Sequence, residues 1–147
     1  MPADRMVSNI GIGNPFAMST FENQINLGTW ELTENWLDKY LLSVGDTSPE
    51  YIESKIVPAI AISALVIGAL LETLKLPKGT IHSLQDIETI IPVSIGESVS
   101  GNAELSQTRQ RGELKFITVR YLVNNAEGEA VQVGRSTVLV PQEAVIE

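Results

Sequence analysis

One loop holds the residues of this chain best suited to acid–base chemistry. Asp46 lies in the run Gly-Asp-Thr-Ser-Pro, and Tyr51 follows shortly after it. An aspartate in such a loop can hold or deprotonate a water molecule. It can also stabilise the turn itself, which is the commonest role of aspartate in this kind of run. A tyrosine side chain has a reference pKa of about 10, so a tyrosine is a poor base at neutral pH, although its hydroxyl can hydrogen-bond a water or a carbonyl.

The other ionisable candidates lie in predicted strands. His82 is the single histidine, a residue type that suits proton transfer, but a hydrogen-bonded structural histidine is the commoner case. Asp86 and Glu88 are interpreted as the solvated or interface face of the same strand. The basic residues that could hold a phosphate, with an ordinary exposed sheet edge as the alternative, are Arg109, Arg111, Lys115 and Arg135.

Composition excludes several classes of function. The chain has 147 residues and a formal net charge of −8, so it would repel a nucleic-acid backbone. It has no cysteine and one histidine, which excludes disulfides, thiolate sites and a histidine-rich metal site. We expect no metal site and no cofactor. Because the N-terminus lacks an apolar run of signal-peptide length, we predict a cytoplasmic protein.

The longest apolar stretch predicts a central helix. Residues 56–71 carry no charge, and Pro58 suits the first turn of a helix. A membrane-spanning helix needs about 20 apolar residues, whereas this run is shorter and is followed by Glu72. A helix that is apolar on all sides is expected to be buried on nearly every side. The sequence therefore predicts a core helix wrapped by a curved sheet, and no membrane association.

The rest of the chain supplies the sheet. Thr33 is predicted to be the N-cap of an amphipathic helix. Residues 1–20 are predicted to be a flexible segment, and residues 21–147 a single domain. The predicted elements are strands at 21–32, 80–93, 99–105, 114–123 and 130–140, helices at 34–44 and 57–76, and a turn at 109–113. This order indicates an α+β protein in which an antiparallel sheet curls around one helix, the hot-dog architecture.

Two stretches resemble the MaoC-like hydratases and dehydratases, particularly their fatty-acid-synthase-type dehydratase branch. Residues 40–53, YLLSVGDTSPEYIE, are similar to the family's hydratase loop, Y-x-x-x-x-G-D-x-N-P-x-H-x-D. Residues 91–97 and 134–141 are similar to its P-V-x-x-G-D opening and its closing strand. The resemblance spans about residues 30 to 141. It implies a hot-dog fold, action on a 2-enoyl or 3-hydroxyacyl thioester of coenzyme A or a carrier, and a site at the interface of two hot-dog subunits.

The resemblance also implies roles for particular residues, with one substitution. Asp46 stands at the catalytic aspartate, whereas Tyr51 stands where the family has its catalytic histidine. Ser48 stands at the family's asparagine and is expected at the substrate. Because Pro58 cannot donate, the N–H groups of Ala59 and Ile60 are the expected donors to the thioester oxygen. Through the resemblance, the four basic residues named above become candidates for a coenzyme A or carrier phosphate.

The sequence leaves two functions open. Retention of Asp46 favours a hydratase or dehydratase that is active alone. Replacement of the histidine by Tyr51 favours a non-catalytic acyl-binding subunit that pairs with a catalytic hot-dog chain. Thioester hydrolysis is supported only by fold kinship, which is an analogy rather than evidence from a site.

Overall fold

The computed structural model describes residues 24–141. The expected N-terminal segment and the first residues of the first predicted strand lie outside this range. The elements in chain order are β1 (Ile25–Glu31), α1 (Glu34–Val44), α2 (Glu50–Ser54), α3 (Ala59–Leu74), β2 (Ile81–Thr89), β3 (Ser98–Arg111), β4 (Leu114–Asn125) and β5 (Ala130–Pro141).

The boundaries of α1 follow from local chemistry and confirm the prediction. The Thr33 hydroxyl accepts a hydrogen bond from the Trp36 N–H at 3.1 Å, which caps the first turn. Gly45 ends the helix in the left-handed conformation, with φ 70°, which glycine adopts without steric cost. The loop that carries Asp46 therefore starts from a defined helix end at Gly45.

The five strands form one antiparallel sheet in the order β1-β3-β4-β5-β2. The predicted turn at 109–113 is wrong for its first three residues, because β3 continues to Arg111 and pairs with β4. Cross-strand pairing outweighs the polar composition of this segment. The chain reverses instead at Gly112, where φ is 59°.

Helix α3 packs against one face of this sheet. Its buried residues are Ala61, Ile62, Ser63, Val66 and Leu70. They join side chains of β3, β4 and β5 in a single core that includes Val119, Tyr121 and Val131. Burial of apolar surface between the helix and the sheet is the main stabilising term of such a core.

The expectation that α3 is buried on nearly every side is wrong for one face. Ile60 is 59% exposed and Leu71 is 39% exposed, and Ala64 and Gly68 between them are also exposed. The sheet covers only one side of the helix, so the opposite apolar stripe remains open in the single chain. Within residues 24–141, no helix is long and apolar enough to cross a membrane.

At Gly134 in the sheet, any side chain would clash severely with a neighbour. Gly134 of β5 lies opposite Tyr121 of β4, and the tyrosine ring crosses directly over it. A Cβ at this position would lie 2.2 Å from the ring. The lack of a side chain at Gly134 therefore leaves the space that the Tyr121 ring needs for its hydroxyl to reach towards α3.

We expect Gly134→Ala to destabilise the protein by about 1–3 kcal/mol, because the methyl group must displace the buried tyrosine. Urea unfolding measures this free energy. Gly68→Ala on α3 is the control, since a Cβ there meets no atom within 4 Å. That variant should gain about 0.5–1 kcal/mol from helix propensity. A Gly134→Ala protein as stable as the wild type would contradict the steric role.

Candidate active site at the start of α3

The segment that leads into α3 is fixed to the strand connection before β3. The Val57 N–H donates to the Val93 carbonyl at 2.8 Å, and the Ile95 N–H donates to the Lys55 carbonyl at 2.7 Å. Lys55 ends α2 in the left-handed conformation with φ 61°, which turns the chain towards this contact. The first turn of α3 therefore has a defined position relative to the sheet.

The first turn of α3 presents two backbone donors. The Pro58 carbonyl accepts from the Ala61 N–H at 3.0 Å, and no side chain caps the helix. The N–H groups of Ala59 and Ile60 precede this bond and have no acceptor among the described residues. The first turn contains no acidic residue, so the positive end of the helix dipole is not neutralised there.

A cavity of about 210 Å³ opens beside this helix start. It brings together two of the predicted site residues, Tyr51 and Ala59, and adds Gln132 of β5. The Ile60 side chain, Asp46 and Ser48 are not among its lining residues. The remaining lining residues are Ile56, Val57, Pro58, Ile62, Thr89, Ile91, Pro92, Val93 and Val131. The cavity is thus an apolar pocket with a few polar groups, as is usual for a small-molecule site.

Sequence reasoning missed the side chains that hold the helix start to the sheet. The Gln132 amide donates to the Ala59 carbonyl at 3.0 Å, and its oxygen accepts from the Tyr121 hydroxyl at 2.9 Å. The same hydroxyl lies 3.4 Å from the Ser63 Oγ. Gln132 and Tyr121 are fully buried, so each of these polar groups needs its partner. The available signal was a glutamine placed between valines in a predicted strand.

Asp46 has a structural role in its loop. Its Oδ1 accepts a hydrogen bond from the Ser48 N–H at 2.8 Å, and its own N–H donates to the Leu41 carbonyl at 2.9 Å. The first of these bonds forms the turn that aspartate commonly stabilises. Only one carboxylate oxygen is used in this bond, so the other can contact a ligand.

Tyr40 lies near enough to both Asp46 and Tyr51 to interact with their charges. Burial raises the pKa of the Tyr40 phenol, and the nearby Tyr51 and Asp46 raise it further. Trp36 and Tyr40 stack on each other one turn apart on α1, with a ring-centre distance of 6.5 Å. Asp46, Tyr40 and Tyr51 thus lie close together. Of the three, Tyr51 lines the cavity beside the start of α3.

Tyr51 also borders a second cavity, of about 240 Å³, between α1 and α2. Lys55 and Glu34 line this cavity and form an ion pair with 2.7 Å between Nζ and Oε1. The Tyr51 side chain is therefore a wall that the two cavities share.

The remaining candidates lie away from the helix start. His82 and Glu88 are on the edge strand β2, and the His82 Nε2 lies 3.1 Å from the Gln85 Oε1. Asp86 forms an ion pair with Arg135 of β5. The other basic candidates, Arg109, Arg111 and Lys115, lie on β3 and β4 near their shared hairpin. Of these residues, none lines the 210 Å³ cavity.

The five-stranded antiparallel sheet packed on α3 defines the hot-dog fold, as predicted. Three solved structures illustrate the similarity. The (R)-hydratase from A. caviae, described as involved in PHA biosynthesis, has a TM-score of 0.67 at 18% identity, over 83% of this chain and 97% of that chain. The MaoC-like dehydratase from Rhodospirillum rubrum has a TM-score of 0.64 at 14% identity, over 83% and 92%. The C-terminally truncated HadBC complex, a 3R-hydroxyacyl-ACP dehydratase from Mycobacterium tuberculosis, has a TM-score of 0.63 at 15% identity, over 82% and 98%.

No family model and no curated protein sequence matches this chain. The structural neighbours are MaoC-like dehydratases and (R)-hydratases, in agreement with the resemblance that the sequence indicates. At these identities the likeness shows the fold.

The buried Tyr121 predicts a loss of stability at high pH. Burial raises its pKa to about 12, against hydrogen bonds with Ser63 and Gln85 that lower it. The ordinary value is about 10, so the folded state favours the neutral phenol. This contribution is complete below pH about 10 and is lost as the pH rises towards about 12.

Urea unfolding between neutral pH and pH about 12 measures this loss. In Tyr121→Phe, the part of the pH dependence of the unfolding free energy that is due to Tyr121 should be absent. The substitution should also lower the unfolding free energy at neutral pH by about 1–3 kcal/mol, because the hydrogen-bond partners of the hydroxyl are left unpaired. Tyr40→Phe is the matched control and should retain the Tyr121 part. An unchanged alkaline slope in Tyr121→Phe would contradict the assignment.

Proposed function

We propose that this protein acts on acyl thioesters of coenzyme A or a carrier as a MaoC-like hydratase or dehydratase. The observation that carries the proposal is the open start of α3. Its two unpaired N–H groups and its uncompensated dipole adjoin a pocket that Tyr51 and Gln132 line. Donors of this kind stabilise the negative charge that develops on a thioester oxygen.

The proposed reaction adds water across a 2-enoyl thioester. The Ala59 and Ile60 N–H groups hold the thioester carbonyl oxygen. Asp46 takes a proton from water as the water oxygen bonds to the third carbon, and the protonated Asp46 then returns this proton to the second carbon. Tyr51 orients the water through its hydroxyl, and Ser48 shapes the loop at the substrate. Dehydration is the reverse of these steps, and no cofactor takes part.

A second candidate function is that of a non-catalytic acyl-binding subunit. Tyr51 in place of histidine favours it, because a phenol is a weak base at neutral pH. The hydrogen bond from Ser48 to Asp46 favours it as well, since a turn role accounts for that aspartate without catalysis. In this case the protein binds the acyl group, and a partner chain supplies the acid–base pair.

Both candidates include a second hot-dog subunit, either another copy of this chain or a different one. The open face of α3, on which Ile60, Ala64, Gly68 and Leu71 are exposed in a continuous stripe, supports this proposal, because contiguous exposed apolar surface commonly marks an interface. The HadBC neighbour is a complex of two chains.

Asp46→Asn separates the two roles of the loop aspartate. The asparagine carbonyl can still accept the Ser48 N–H, so the turn is retained while the negative charge is lost. If Asp46 is the base, crotonyl-CoA hydration should fall by about 100-fold or more while acyl-CoA binding changes little. Loss of enoyl absorbance measures the turnover.

Asp38→Asn is the charge-matched control, since Asp38 lines only the second cavity. It should retain nearly full activity. Equal turnover in Asp46→Asn and the wild type would exclude Asp46 as the base. Binding of acyl-CoA without any turnover by the wild type would favour the subunit role.

Tyr51→His tests the subunit role directly. The imidazole would supply a base with a pKa near ~6.5, so an inactive wild type should gain measurable hydration activity. Purification from the native host should also recover a second hot-dog chain, identified by mass spectrometry. Robust turnover by the pure wild-type protein, with no second chain recovered, would contradict this role.

A further inference from the structure

The face of the sheet opposite to α3 carries an ordered row of four charges. Val119 and Tyr121 of β4 point into the core, so Arg120 between them points to the other face. Pairing across the sheet places Glu104 opposite Arg120, Arg120 opposite Arg135, and Arg135 opposite Asp86. Two like charges that face each other directly destabilise a sheet.

Each arginine of the row is offset by a carboxylate on its outer side. Arg120 forms an ion pair with Glu104, and the Arg135 Nε donates to the Asp86 Oδ2 at 3.1 Å. The row is therefore neutral as a whole. The next row along the same face is uncharged, and there the hydroxyls of Thr118 and Thr137 lie 3.0 Å apart.

A further arginine on this face has no such partner. Arg109 of β3 is exposed and has no ion-pair partner among the described residues. It lies opposite Phe116 of β4 in the register. A cationic and an apolar group thus lie side by side, one row beyond the threonines.

These rows line an open cleft of about 620 Å³, which is within the usual range for small-molecule sites. Arg109, Arg120 and Arg135 supply its charge, and Leu84 and Phe116 supply its apolar wall. With Glu104 and Asp86 neutralising two of the guanidinium groups, one positive charge is in excess. The chain as a whole carries −8, so this excess is a local feature.

We propose that this cleft binds an organic monocarboxylate. The Arg109 guanidinium forms paired hydrogen bonds with the carboxylate, a geometry that suits arginine. The apolar chain of the ligand lies along Phe116 and Leu84. One excess positive charge matches one negative charge, and the apolar wall selects a carboxylate with a hydrocarbon body over a small inorganic anion.

Octanoate is a suitable probe, and isothermal titration calorimetry measures its binding to the full chain. Arg109→Gln should weaken the Kd by about tenfold or more, as expected for the loss of a charged hydrogen bond of about 1.5 kcal/mol. Lys115→Gln removes the same charge from the neighbouring strand without touching the cleft lining, and its Kd should stay within about twofold. Urea unfolding establishes that both variants are folded.

Comparison with octan-1-ol at the same ionic strength separates the contribution of the carboxylate to binding from that of the hydrocarbon chain. The alcohol should bind at least about tenfold more weakly than octanoate if the guanidinium contact contributes as proposed. Octanoate binding that is unaffected by Arg109→Gln would place the ligand elsewhere, for example beside α3, and would overturn the proposal. Equal losses in Arg109→Gln and Lys115→Gln, equal binding of the alcohol, or no binding of octanoate would overturn it as well.

Discussion

The hydrogen bond from the Gln132 amide to the Ala59 carbonyl links the sheet to the first residue of the central helix. Most of the contact between α3 and the sheet is apolar and therefore not directional. Gln132, Tyr121 and Ser63 add fixed directions to it, because each is buried and must find its partner. The position of the helix start, and so of the two free N–H groups, depends on this network.

The network has a consequence for the local sequence. Tyr121 can reach α3 only because its strand neighbour, Gly134, has no side chain. The lack of a side chain at Gly134 on β5 is thus required for the hydrogen bonds that the Tyr121 hydroxyl makes with Gln132 and Ser63. The proposed oxyanion donors depend on residues that have no place in the hydratase-loop pattern.

The two faces of the sheet carry different chemistry. The inner face combines an apolar core with one buried polar network and an open helix end. The outer face carries a neutralised row of charges, a pair of threonines and an arginine beside an aromatic side chain. The exposed apolar stripe on α3, which includes Ile60 and Leu71, is the surface that we propose for a second subunit.

The sequence by itself determined the elements and their class. The Thr33 cap, the glycine at the end of α1, the uncharged run and the alternating strands predicted α1 closely and β4 and β5 to within about two residues, because these signals act between near neighbours in the chain. The predicted ends of β2 and β3 were off by four and six residues. The loop pattern also pointed to Tyr51, which lines the cavity beside the start of the central helix. The tertiary structure alone decided that α3 is covered on one side, that β3 runs on through Arg109, and that Gln132 meets Ala59. Those results depend on strand order and register, which bring together residues far apart in sequence and which no local pattern encodes.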